Sequence, residues 1–161
     1  MAIPSYFVAL ENHRQSTLAE FAQYVRQMPK KVAGTVQLSE LCAMTDHPNG
    51  LYFFFDEHDE LWYVGKSTSR SFIERIPAHF DQREDAWFNT LSSRIKTVFS
   101  MRGYADAHAL GLSLRLVLVG VKSRETATRL ERALRAFSKP QLNTARSRGE
   151  SGRELISSYE S

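Results

Sequence analysis

The stretch GLYFFFDEHDELWYVGKS, residues 50–67, constrains this chain more than any other. Aromatic and branched residues fill Leu51 to Phe55 and Leu61 to Gly65, and the charge between them is confined to Asp56-Glu57-His58-Asp59 and Glu60. Such side chains suit strands, and a short polar run between two such segments marks a hairpin turn. The chain must therefore build a sheet around this hairpin. In an antiparallel pair, opposed residue numbers share a constant sum and opposed side chains share a face. A symmetric turn between Glu57 and His58 predicts that Tyr52 faces Tyr63 and that Gly50 faces Gly65. Two phenols would then stand together above glycine, which leaves room for a backbone or a phosphate. Opposed aromatics also stabilise ordinary hairpins, so the hairpin alone does not define a chemistry.

The rest of the chain supplies helices and one strong strand. With 161 residues, 42% hydrophobic and 24% charged, it is long enough for one domain with its own core. Leu18, Phe21, Ala22, Val25 and Met28 recur at helical spacing behind Ser16 or Thr17 as a cap. A second short helix is predicted over Ser39 to Met44, so residues 1–48 read as an N-terminal helical extension. After the hairpin, helices are predicted around Ser69 to Phe80 and over Ala86 to Met101, the latter with Phe88, Leu91, Ile95, Val98 and Phe99 inward. Gly103 to Gly111 reads as a turn or short helix. SLRLVLVGV, residues 113–121, is apolar enough for a central strand, and Ser123 caps a helix reaching Phe137. The expected fold is α+β, with a small central antiparallel sheet of about three strands flanked by helices. Residues 144–161 are read as a flexible or loosely packed polar tail, with one helical turn near its end.

The net charge of +3 permits nucleic-acid binding without demonstrating it. Cys42 is the only cysteine, so no disulfide forms within the chain, and a cytoplasmic location is expected. No apolar run approaches the ~20 residues of a membrane span, and no basic segment precedes the short apolar patch of a signal peptide.

In chain order stand Gly50-Leu51-Tyr52, Tyr63-Val64-Gly65, Arg75 and His79 in SFIERIPAHF, Glu131 in RLERALRAF, and Asn143 in KPQLN. This ordered set resembles the GIY-YIG nuclease family, with the nuclease domain over residues 49–143. The resemblance implies an endonuclease that hydrolyses DNA phosphodiester bonds with a single metal ion and a tyrosine general base. Glu131 would be the metal ligand. Mg²⁺ (or Mn²⁺) accepts oxygen ligands and tolerates one protein carboxylate plus waters and phosphate oxygens. Tyr52 would be the base, and Lys66 the cation that favours its phenolate. Tyr63 would orient water or phosphate. Arg75 would grip a phosphate through its planar fork, and His79 would bond Tyr52 or substrate, or relay a proton. Lys66, Arg70, Arg75, Arg83 and Arg135 are the expected DNA contacts; Gly50, Gly65 and Asn143 are expected to be structural supports.

Two features depart from the pattern. Pro77 follows Arg75 closely, which kinks the helix there or starts it near Ile76. The segment KSTSRSFIER is slightly long, so Arg70 and Arg75 compete for the phosphate role. Read from spacing alone, Glu131 lies at the edge of the buried stripe of its helix, either a ligand or a surface partner of Arg135. The alternative function is a catalytically inactive DNA- or protein-binding module on the same scaffold. An unrelated α+β domain would leave Tyr52, Tyr63, Arg75 and Glu131 scattered. Target specificity is expected from residues 1–48, from Gly103 to Gly111, from a homodimer or from a partner subunit.

Overall fold

A computed structural model describes residues 2–44, 46–87, 90–143 and 150–160. The strands are β1 (Phe7–Ala9), β2 (Lys31–Val32), β3 (Gly50–Phe55), β4 (Leu61–Ser67) and β5 (Arg115–Gly120). The helices are α1 (Leu18–Gln27), α2 (Leu38–Cys42), α3 (Phe72–Ala78), α4 (Leu91–Val98), α5 (Tyr104–Ser113) and α6 (Arg124–Ser138). The class is α+β. The sheet is mixed rather than a three-stranded antiparallel unit: its order is β1-β5-β3-β4, with β1 parallel to β5 and the other pairs antiparallel. β2 pairs with the start of β5, on the edge β1 occupies further along. Residues 1–48 are thus more than a helical extension, because they complete the sheet.

All six residues of β3 are buried, because both faces of the sheet are covered. On one face, α1 and α6 bring Leu18, Phe21 and Leu130 against Leu51, Phe53 and Val64. On the other, Phe72, Leu91 and Ile95 from α3 and α4 pack against Tyr52, Phe54 and Leu118. The alternation along β3 and β5 sorts these residues between the two layers.

Local signals start the helices where they are needed. Thr17 and Glu20 form a reciprocal capping box at α1, and Ser123 Oγ accepts from the Thr126 N–H at α6. Each cap contributes about 1 kcal/mol. Ser71 caps α3, so Arg75 lies inside that helix and Pro77 falls in its last turn.

Three expectations fail in detail. The helix expected from Ala86 begins only at Leu91; Val98 and Phe99 are exposed, and Phe88 lies outside the described residues. A two-turn helix buries only Leu91, Ser92 and Ile95. Residues 150–160 hold the expected helical turn, at Ile156–Glu160, but are not a flexible tail. Leu155 bridges Thr17, the Leu18 N–H donates to Glu154 O, and buried Ile156 joins the α1–α6 core; residues 144–149 lie outside the described residues.

The third concerns the hairpin register. Tyr52 pairs with Gly65 and Phe54 with Tyr63, while Gly50 opposes Ser67. Asp56 organises the turn: Oδ1 accepts from the N–H groups of His58 and Glu60, and Oδ2 from the Trp62 indole. Phe55 then pairs with Leu61, and Trp62 is the extra residue of a bulge. The register slips by two from the symmetric expectation, so Tyr52 and Tyr63 still share a face.

Candidate functional site

β4 is the outer strand of the sheet next to β3, and a cleft of about 390 Å³ lies beside it. Tyr52 and Tyr63 line it from the sheet, Arg75 from α3, and Glu131 and Arg135 from α6. α3 and α6 pack on opposite faces of the sheet, so their side chains meet only past its edge. The two phenol rings stack with centroids 6.1 Å apart. The four residues whose separation would have marked an unrelated domain therefore converge.

The charge in the cleft is one-sided. Among the described residues, Lys66, Arg70, Arg75, Arg94, Arg132 and Arg135 line it, against a single carboxylate, Glu131. Arg135 Nη1 lies 3.1 Å from Glu131 Oε1, with both side chains largely buried. Such a lining attracts a polyanion and holds one acid in place. Among the described residues no group of three or more His, Cys, Asp or Glu could enclose a metal ion. The donor set suits a hard cation that takes one carboxylate and fills its other positions with water and phosphate oxygens.

Tyr52 sits at the back of the cleft and is fully buried. Its Oη lies 2.7 Å from His79 Nε2. Burial, reinforced by Tyr63, pushes the phenol well above its ordinary pKa, while the Arg75 guanidinium pulls it down. His79 ends α3 behind Tyr52 and does not line the cleft. Burial, with Arg75 beside it, holds its imidazole well below the ordinary histidine range.

Lys66 does not take its expected place beside Tyr52. It opposes Leu51, on the face away from the phenols, and its Nζ donates to Thr128 Oγ1 on α6 at 3.3 Å. Strand alternation puts Tyr52 and Lys66 on opposite faces, so Arg75 supplies the cation that acts on the phenol. Arg70 and Arg75 both line the cleft. The Arg70 carbonyl accepts from Asn49 Nδ2 and from Ser67 Oγ, which pins the loop. Arg83 is not a cleft residue; Asp81 holds its guanidinium through Nε and Nη2.

The glycines differ from their expected use. Gly50 lies inside the sheet between Gly120 and Ser67, at φ +151°, where a Cβ would meet Val119 O at 1.9 Å. It does not floor the cleft. Gly65 does line it, but Tyr52 fills the room it leaves. Asn143 is a support in a literal sense: Oδ1 accepts from the Val64 N–H and Nδ2 donates to Val64 O, both at 2.9 Å, sealing the β4 edge.

Sequence reasoning missed Arg132 and Thr128 as cleft residues. Thr128 lies three before Glu131 on α6 and Arg132 four after Thr128, and that spacing was the available signal. Arg94, on α4, also reaches the cleft. Compared with models of protein families, with curated proteins and with solved structures, the chain matches none.

Proposed function

We propose that the protein is an endonuclease of GIY-YIG type that hydrolyses DNA phosphodiester bonds with Mg²⁺ or Mn²⁺. The observation that carries this reading is that Tyr52, Tyr63, Arg75 and Glu131, from four separate elements, line one cleft whose other charges are cations. The antiparallel β4-β3-β5 unit with α3 and α6 would be the nuclease core, and β1 and β2 additions to it.

Glu131 would hold the metal ion, exchanging part of its ion pair with Arg135 for it. When bound, the ion supplies Lewis acidity and neutralises charge on the phosphate. Arg75 and Arg70 grip the phosphate oxygens, and their fixed charge favours the pentavalent transition state. Tyr63 stacks on Tyr52 and orients the attacking water. Because burial holds Tyr52 protonated, its Oη first loses its proton to water in the cleft, a loss that Arg75 favours. The phenolate then takes a proton from the attacking water as the new P–O bond forms, and the leaving alkoxide takes a proton from solvent.

The test is cleavage of supercoiled, branched and single-stranded DNA with Mg²⁺ or Mn²⁺. Glu131→Ala is expected to abolish cleavage while the circular dichroism spectrum is unchanged. One observation favours the alternative of a binding module: the resting Tyr52 is buried and protonated. DNA binding without cleavage of any of these forms, with either ion, would select that alternative.

A further inference from the structure

Tyr52 and His79 are both fully buried, and 2.7 Å separates Tyr52 Oη from His79 Nε2. One proton lies on that line, and its owner decides what the pair can do. The far side of the imidazole settles the ownership. There the backbone N–H of Leu91, the first residue of α4, points at Nδ1 from 3.3 Å. A backbone N–H can only donate, so Nδ1 must accept and carries no hydrogen. Thr90 Oγ1 stands 3.2 Å from the same nitrogen, and its hydroxyl can donate or accept, so the Leu91 N–H is the contact that decides. A neutral imidazole with a bare Nδ1 is protonated at Nε2. An imidazolium would aim an N–H at the Leu91 N–H with water excluded.

We propose that the first turn of α4 fixes His79 as an Nε2–H donor to Tyr52 Oη, so that His79 is a positioning residue and not a proton acceptor. The catalytic part of this rests on the nuclease reading; the position of the proton does not. With Oη accepting from His79, the Tyr52 hydroxyl hydrogen must leave on another side. Tyr63 and the cleft lie there. When that proton is lost, the Nε2–H is already aimed at the phenolate oxygen, and a hydrogen bond donated to the charged form favours it. A relay through His79 would need the opposite tautomer, with Nδ1–H facing the Leu91 N–H. The ring is fully buried and packed edge-on against Phe54 and Tyr63, so it cannot turn away readily, and the backbone that carries it is held too. The His79 N–H bonds Ile76 O at the end of α3, and Ser92 Oγ donates to His79 O at 3.2 Å.

Glutamine separates the two roles. Its amide oxygen can accept from the Leu91 N–H while its NH₂ donates to Tyr52, and it does not titrate. The first measurement is NMR of the ¹⁵N-labelled imidazole. It is expected to show Nδ1 bare and Nε2 protonated near neutral pH. A proton on Nδ1 overturns the proposal. The second is cleavage by variants. His79→Gln is expected to stay within about tenfold of the parent, while His79→Phe, still folded, loses roughly a hundredfold or more. His79→Gln as inactive as His79→Phe also overturns it. If no form cleaves DNA, the nuclease reading falls, and the NMR result alone decides the tautomer.

Discussion

The Tyr52 ring occupies the space that a side chain at residue 65 would need. A Cβ on Gly65 would stand 2.3 Å from Tyr52 Cζ and 2.5 Å from its Oη. The two residues are register partners on β3 and β4, so the absence of a side chain on one strand sets where the phenol of the other lies.

Gly65→Ala is therefore expected to push Tyr52 off His79. Overpacking at a buried site destabilises by about 1–3 kcal/mol. Urea denaturation should show a lower midpoint with little change in slope, and cleavage should fall further than stability explains. A variant with parental stability and activity would contradict the packing described for Tyr52.

Asn143→Ala removes two hydrogen bonds to Val64. At about 1 kcal/mol each, the expected loss is roughly 2 kcal/mol in denaturant unfolding. Asn143→Asp should not restore it, because a carboxylate can accept from the Val64 N–H but cannot donate to Val64 O.

The cations differ in what they face, and DNA affinity measured against salt should separate them. Arg94→Ala and Arg132→Ala, both in the cleft, are each expected to reduce the salt slope for duplex DNA by about 0.9. Arg83→Ala is expected to leave it unchanged, since Asp81 holds that guanidinium outside the cleft. Equal effects from all three would mean that the cleft is not the DNA-binding surface.

His79 also links stability to pH. Its folded pKa is depressed, by burial first and then by Arg75; the other titratable groups facing it are Tyr52 and Tyr63. As pH falls below the unfolded value of about 6.5, the unfolded chain takes up the proton first. The stability is complete above that pH and is lost as pH falls toward the folded value. Burial shifts His13 in the same direction, so the comparison with His79→Gln isolates the His79 share. Thermal melts should show a shallower acid loss for that variant; identical acid slopes would mean that His79 is not held neutral.

Elements with their own strong periodicity or caps were legible in the sequence. α1 follows its Thr17 cap, α6 runs from the Ser123 cap to one residue past the expected end, and β5 lies centrally. Glu131 reads from spacing as an edge residue of α6, and the structure places it there, at the rim of a cleft. β1 and β2 were not legible. Strands of three and two residues carry no measurable period and exist only because β5 offers an edge. The docking of residues 150–160 was missed for a related reason: Leu155-Ile156 is a short apolar pair in a polar segment, and the site of buried Ile156 is formed by distant parts of the chain.

What the sequence determined by itself was parity and residue type: which side chains of β3 and β4 share a face, and that phenols, one acid and several guanidinium groups are present to meet. Parity survives because side chains alternate with a period of two, so a two-residue slip leaves Tyr52 and Tyr63 on one side. The tertiary structure alone decided the register, through the Asp56-organised turn and the bulge at Trp62, and with it that Gly65 rather than Tyr63 opposes Tyr52. It also decided that α3 and α6, packed on opposite faces, bring Arg75 and Glu131 to one edge. The convergence depends on contacts between residues far apart in the chain, and the register on side-chain hydrogen bonds within the turn; strand periodicity encodes neither.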